Sequence, residues 1–198
     1  MPIPEQKIYL ASHSPRRREL LKQIGVNFNV IVPDINESPL ERESAKDYVV
    51  RIARIKAEVG WMRVVERKLP RHPLLAADTT VALGKHIVGK PSSAEHACEI
   101  LRQLSGRKHR VCTAVAMAYE DKLKVILSVT AVYFRSLSER EIRRYAAGGE
   151  PMDKAGAYAI QGRAAAFVER IEGSYSGVMG LPLFEVAQLL DDFGLKLL

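Results

Sequence analysis

The sequence has 198 residues, 47% of them hydrophobic, and a formal net charge of +7 at pH 7. This length and apolar content supply the core of a folded domain and exclude a wholly disordered chain. The positive charge favours anionic partners such as nucleotides, nucleic acid or acidic lipids, without choosing among them. No signal-peptide core or membrane-length apolar run occurs, which predicts a soluble, cytoplasmic protein.

The first half of the chain alternates strands with helices. Apolar runs rich in β-forming residues predict strands at residues 7–12, 28–35 and 74–84. Ser14 followed by Pro15 predicts a helix start, and Ser44 with Asp47 resembles a capping box. Ser92 with Glu95 predicts the cap of a third helix, which ends near residue 104.

The second half begins with two alternating runs, residues 109–120 and 124–135, which predict a long antiparallel hairpin. Ser138 with Glu141 predicts a capped helix that ends before Gly148. A short strand at 167–171, a glycine-rich turn at 173–180 and a final helix from about Pro182 follow. Helices interleaved with single strands and a hairpin predict an α/β fold with a mixed sheet.

The two cysteines, Cys98 and Cys112, lie in apolar segments without CxxC or Cys/His spacing. A thiol in such a segment usually behaves as a small buried hydrophobe. The sequence therefore predicts neither a disulfide framework nor a zinc site.

The junction SHSPRR joins the first strand to the first helix. The free N–H groups of the helix start, the Ser12 hydroxyl and the guanidinium groups of Arg16 and Arg17 together suit a phosphate. The alternative is an ordinary helix cap with solvated arginines. No P-loop or GxGxxG sequence is present to support a different phosphate-binding fold.

Two carboxylates and two lysines form the next candidate group. Asp78 interrupts an apolar strand, so it must be paired, hydrogen-bonded to a neighbouring threonine, bound to metal or open to solvent. Glu37 follows the second strand. Lys56, on the second helix, and Lys90, between Gly89 and Pro91, suit phosphate contacts, although most lysines are simply solvated.

The segment GGEPMDKAGAYAIQG, residues 148–162, keeps neither helical nor strand periodicity. Its glycines permit close backbone approach, and Asp153, Lys154 and Gln161 supply an acceptor, a cation and an amide. The amide of Gln161 is of the kind that reads the edge of a nucleobase. The alternative is an ordered loop whose polar groups satisfy one another.

Taken in order, SHSPRR, AADTTV, GKP, GEPMDKAGAYAIQG and GSYSGVMGLPL resemble the Maf family of nucleoside triphosphate pyrophosphatases, in particular the branch acting on dTTP and UTP. The resemblance implies one domain over residues 1–198, with an elongated mixed sheet flanked by helices and a central cleft, similar to inosine triphosphate pyrophosphatases. It also implies a homodimer that cleaves between the α- and β-phosphates with a divalent cation (Mg²⁺, Mn²⁺ or Co²⁺).

The resemblance implies catalytic roles for four residues. Asp78 matches the family's proton acceptor, and Glu37 matches a catalytic or metal-associated carboxylate, so both are candidate metal ligands. Lys56 and Lys90 match the active-site lysines.

The resemblance also implies a substrate-binding set. Ser12, Arg16 and Arg17 match the phosphate and specificity end of the site. Arg16, Thr79 and Gln161 occupy the positions that separate the pyrimidine branch from the branch acting on 7-methyl-GTP.

Two departures from the family pattern and three alternatives accompany the resemblance. Ala159 stands where the family pattern has glycine, and it would strain the loop if that position required a positive φ. The segment RAAAF, residues 163–167, stands where family members often keep another glycine. Specificity for 7-methyl-GTP on the same fold is the first alternative. A basic module that binds nucleic acid through residues 16–18 and 140–145 is the second, although no stable nucleic-acid partner is expected. A scaffold role in cell division is the third.

Overall fold

The computed structural model describes residues 7–197 and contains a seven-stranded sheet with the order β2-β1-β3-β5-β6-β7, in which β4 pairs with β3. The strands are β1 (Lys7–Leu10), β2 (Asn27–Val30), β3 (Leu74–Leu83), β4 (His86–Val88), β5 (Lys108–Tyr119), β6 (Lys122–Phe134) and β7 (Val168–Glu172). The helices are α1 (Pro15–Gln23), α2 (Ala45–Glu66), α3 (Ala94–Leu104), α4 (Glu139–Ala146), α5 (Tyr175–Met179) and α6 (Leu183–Asp192). Short 3-10 turns occupy Ala155–Ala157 and Arg163–Phe167.

The sheet is mixed. Strand β1 pairs in parallel with both β2 and β3, and helices α1 and α2 make the crossovers that parallel pairing requires. All other pairings, including the β5–β6 hairpin, are antiparallel. The predicted α/β fold with a mixed sheet flanked by helices is therefore confirmed.

The alternation of side chains along β3 decides which helix each residue faces. Leu74 and Ala76 join the core beneath α2, whereas Leu75 and Ala77 join the core beneath α1 and α6. Because successive strand residues point to opposite faces, Asp78 is directed toward α2 and Thr79 toward the α1 side. The Asp78 carboxylate and the Thr79 hydroxyl therefore lie on opposite faces of the sheet.

Two strand and turn predictions need correction. Strand β2 ends at Val30 rather than at residue 35, because its partner β1 ends at Leu10 and leaves no further strand to pair with. The segment 173–180 is not a simple turn. It contains α5, which Ser174 caps by accepting from the Gly177 amide at 2.9 Å and which Gly180 ends in a left-handed conformation.

One predicted helix cap is also corrected, and the backbone angle at Ala159 decides the conditional expectation about strain. Ser93, not Ser92, caps α3, because the Ser93 hydroxyl accepts from the His96 amide while Ser92 contacts the His96 ring. Ala159 does not have a positive φ; within residues 7–197 the loop alanine that does is Ala157, at 57°. The condition for strain at Ala159, a positive φ, is therefore not met.

Two further observations concern the cysteines and the length of the helices. Cys98 and Cys112 are buried and unpaired. None of the helices described between residues 7 and 197 is long and apolar enough to cross a membrane.

The cap correction predicts different effects for two adjacent serines. We expect Ser93→Ala to lower the free energy of unfolding by about 1 kcal/mol, because the His96 amide loses its acceptor. We expect Ser92→Ala to change it by less than about 0.5 kcal/mol. Urea denaturation of both variants measures the difference. An equal loss of unfolding free energy in both variants, or a larger loss in Ser92→Ala, would contradict the assignment of Ser93 as the cap.

Candidate active site

A cleft of about 670 Å³ opens beside β3, between the β1–α1 junction and the 148–162 loop. All nine residues predicted from the sequence line this cleft: Ser12, Arg16, Arg17, Glu37, Lys56, Asp78, Thr79, Lys90 and Gln161. They come from six separate parts of the chain. The structure thus brings the predicted set together, while the role of each residue stays a prediction.

A buried ion pair forms one wall of the cleft. The Lys56 Nζ lies 2.9 Å from Asp78 Oδ1 and 2.9 Å from Glu37 Oε2. Lys56 and Asp78 are buried, whereas the Glu37 side chain is half exposed. Lys56 therefore joins the strand acid to the acid that follows β2.

The pKa of Asp78 is raised above its usual value of 3.8, chiefly because burial disfavours the charged carboxylate. The nearby charges of Lys56 and Arg17 oppose this effect. A buried carboxylate with a raised pKa in a cleft is the kind of group that accepts a proton during catalysis.

The same two carboxylates suit a divalent cation. Mg²⁺ is usually held by one or two carboxylates together with substrate phosphates and water. Among the hydrogen bonds described for residues 7–197, those of Asp78 engage only Oδ1, so Oδ2 could serve as a metal ligand. No group of three or more His, Cys, Asp or Glu residues with metal-binding geometry occurs in this part of the chain, so substrate oxygens would have to complete the ligand set.

Arg17 is held by the protein itself. Its Nε donates to the Gly180 carbonyl at 2.8 Å, and its two terminal nitrogens donate to the hydroxyls of Ser12 and Thr79, each at 3.2 Å. Desolvation lowers the pKa of Arg17, while the charge of Asp78 opposes that shift. The guanidinium therefore joins the β1–α1 junction, β3 and the α5 C-terminus as a fixed cation.

The 148–162 loop forms the opposite wall. The Gly156 amide donates to the Gly89 carbonyl at 3.0 Å, which ties the loop to the turn that carries Lys90. A Cβ on Gly156 would lie 2.8 Å from the Val81 side chain, and its φ is +74°, so glycine is required for both space and conformation. Lys90 and Gln161 are exposed to the cleft.

The sequence analysis missed residues that support the predicted ones. The Tyr48 hydroxyl donates to the Glu37 carbonyl at 2.9 Å, and burial, followed by the charges of Asp78 and Glu37, raises the pKa of Tyr48 to about 12. Tyr48 precedes Lys56 by eight residues on α2, a spacing that places both residues on the same side of the helix. This spacing could have identified Tyr48 from the sequence. Thr113 pairs with Thr79 across β3 and β5 and lies 3.0 Å from it, which only the strand register reveals.

A family model described as Maf-like protein matches residues 7–193. The chain belongs to the Maf family. A dTTP/UTP pyrophosphatase of Nitrosomonas europaea is 54% identical over 96% of this chain and 95% of its own length. A dTTP/UTP pyrophosphatase of Chromobacterium violaceum is also 54% identical, over 100% of both chains. The solved Ham1 protein of Staphylococcus aureus is more distant, at 16% identity over 65% of this chain and 71% of that chain, with a TM-score of 0.46.

The ion pair predicts a pH-dependent loss of stability in Lys56→Met. The variant removes the Lys56 ammonium group, whose charge lowers the pKa of Asp78, while Asp78 stays buried. The pKa of Asp78 therefore rises further, and ionisation of its carboxyl group costs more free energy. We expect a loss of about 3 kcal/mol at pH 7.

The sign follows from proton linkage. A folded-state pKa above the unfolded value of 3.8 means that stability falls as pH rises through the window between the two values. The deficit of Lys56→Met relative to wild type should therefore shrink as the pH falls and Asp78 becomes protonated. Urea denaturation at several pH values tests this, with the exposed Lys46→Met on the same helix as control; a deficit independent of pH would contradict it.

Proposed function

We propose that this protein hydrolyses dTTP and UTP between the α- and β-phosphates and releases the nucleoside monophosphate and pyrophosphate. The observation that carries the proposal is the cleft in which a buried carboxylate–lysine pair faces a cluster of cationic side chains. Relatives 54% identical over nearly the whole chain are named for this activity. The proposal treats residues 1–198 as a single catalytic domain.

The triphosphate, with about four negative charges, requires a cationic site. Arg16 lines the cleft next to the fixed Arg17, and Lys90 and Lys154 line its other side. Ser12 and the start of α1 add hydroxyl and N–H donors of the kind that bind phosphate. The cations on both sides of the cleft accordingly bind the phosphates, and we assign selection of the base to Gln161 and to Thr79, which lies beside Arg17.

Asp78 accepts the proton of the attacking water. Its raised pKa brings the carboxylate closer to the range in which a base works at neutral pH. As water attacks the α-phosphorus, the bond to the bridging oxygen breaks and pyrophosphate leaves with its electrons. Lys56 keeps Asp78 in place throughout, and the arginines stabilise the charge that develops on the phosphates.

A divalent cation, Mg²⁺, Mn²⁺ or Co²⁺, belongs to the proposal. Glu37 and Asp78 would hold it, and when bound it neutralises phosphate charge and assists departure of pyrophosphate. If the protein hydrolysed nucleotide without added cation and in the presence of a chelator, the reaction would not require a divalent cation.

The nucleic-acid alternative receives little support from the arrangement of the arginines. Arg17, in the basic triplet at residues 16–18, donates inward to Ser12, Thr79 and Gly180. On α4, Arg143 is paired with Glu139. We therefore keep a nucleoside triphosphate as the partner, expect neither a nucleic-acid nor a membrane partner, and propose a cytoplasmic homodimer.

The proposed reaction predicts that Asp78→Asn lowers kcat by at least about 100-fold while the protein stays folded, because Lys56 retains Glu37. The assay supplies Mg²⁺ or Mn²⁺ and a panel of dTTP, UTP, CTP, GTP and 7-methyl-GTP, and separates monophosphate plus pyrophosphate from diphosphate plus phosphate. Asp191→Asn on α6 is the control, since its side chain is exposed.

Each result of this panel has a defined meaning. Preferential turnover of dTTP and UTP supports the proposal. Preference for 7-methyl-GTP would keep the reaction and overturn the specificity. No turnover of any nucleotide by the wild-type protein would overturn the proposed reaction. Full activity in Asp78→Asn would overturn the role of Asp78.

The two arginines are predicted to differ when replaced. We expect Arg16→Ala to raise KM for dTTP by about tenfold with an unchanged Tm, because Arg16 acts only on bound phosphate. We expect Arg17→Ala to lower both kcat/KM and Tm, because Ser12, Thr79 and Gly180 lose their common donor. Arg18→Ala, on the exposed side of the same helix, is the control; equal Tm losses at 16 and 17 would refute the distinction.

A further inference from the structure

The turn that carries Gln161 is anchored on both sides. Before it, the Ala159 amide donates to the Tyr145 hydroxyl at 3.1 Å. After it, the Arg163 amide donates to Glu150 Oε2 at 3.2 Å. The two anchors are joined, because the Tyr145 hydroxyl itself donates to Glu150 Oε1 at 2.8 Å.

The anchor also contacts the backbone next to Gln161. A Cβ on Gly162 would lie 2.3 Å from Glu150 Oε1, so the carboxylate occupies the space that any other side chain would need. The φ of Gly162 is −106°, which other residues readily adopt, so a larger residue here would conflict only with the Glu150 carboxylate and would have to displace it. The Gly162 amide donates to the Ala159 carbonyl at 3.0 Å and closes the turn around Gln161.

Tyr145 provides a rigid base for this arrangement. It lies on α4, is buried, and packs edge-to-face on Phe167 with ring centroids 5.1 Å apart. Burial, followed by the hydrogen bond to Glu150, raises the pKa of Tyr145, so the hydroxyl keeps the proton that it donates. The Ser138–Glu141 capping box fixes the start of the same helix.

We propose that Tyr145 and Glu150 are positioning residues that set the base selectivity of the cleft through Gln161. Neither lines the cleft, whereas Gln161 does, so the pair acts on the nucleotide through the turn between residues 159 and 163. The anchors hold the backbone from which the Gln161 side chain extends, so they determine where its amide can meet a bound base. This inference rests on the proposed pyrophosphatase function.

The test compares kcat/KM for dTTP, UTP and GTP in wild type, Glu150→Ala and Tyr145→Phe. We expect kcat/KM for dTTP and UTP to fall about tenfold, mainly through KM, while the value for GTP is unchanged, so that selectivity contracts. Glu150→Gln, which keeps one acceptor, should lose less than Glu150→Ala. Glu169→Ala, an exposed acid on β7, controls for the change of charge and should match wild type.

A double-mutant cycle separates positioning from general stabilisation. If Glu150 acts through Gln161, Glu150→Ala should have almost no further effect on selectivity in a Gln161→Ala background. The inference would be overturned by equal losses of kcat/KM for all three nucleotides or by additive losses in the double-mutant cycle. Unchanged selectivity in both Glu150→Ala and Tyr145→Phe would also overturn it. Wild type without pyrophosphatase activity would instead overturn the proposed function. If Glu150→Ala does not fold, Tyr145→Phe carries the same comparison, because it removes the hydroxyl that joins the two anchors.

Discussion

The burial of one carboxylate in the central strand is the constraint on which the rest of the site depends. An ionised acid inside a sheet is costly unless an opposite charge meets it, and Lys56 meets Asp78 at 2.9 Å. The same ammonium group reaches Glu37, so a single lysine organises both acids of the cleft. The long helix α2 and its packing on β3 are what deliver that lysine.

The cleft combines fixed and exposed groups in a definite pattern. Arg17 is immobilised by three protein acceptors, and the turn around Gln161 is anchored by Tyr145 and Glu150. Lys90 and the Gln161 side chain remain exposed to the cleft. Arg17 and the turn around Gln161 are already ordered before a ligand binds. The conformational entropy lost on binding therefore comes mainly from the few exposed side chains. This division gives the cleft a rigid frame with a small number of adjustable contacts.

The elements that were predicted well have strong local signals. Ser14 with Pro15, the Ser138–Glu141 capping box and the alternating hairpin runs depend on neighbours within a few residues. The predictions that failed concern the ends of elements, which depend on the neighbouring strand or on the path of the chain. Ser92 and Ser93 are equally good caps by composition, and only the path of the chain into α3 selects Ser93. The sequence analysis also missed the three-residue strand β4, which pairs with β3 across the turn at residues 84–85.

Short-range patterns in the sequence are enough to predict most of the helix caps, the hairpin and the mixed α/β class, and the resemblance of five motifs to the Maf family identifies the polar residues that line the cleft. The contacts between residues far apart in the sequence are known only from the folded structure. Arg17 meets Gly180 across 163 positions of sequence, and Thr79 meets Thr113 through the β3–β5 register. Such pairs depend on strand register and helix packing, which are properties of the whole folded chain and leave no local trace in the sequence.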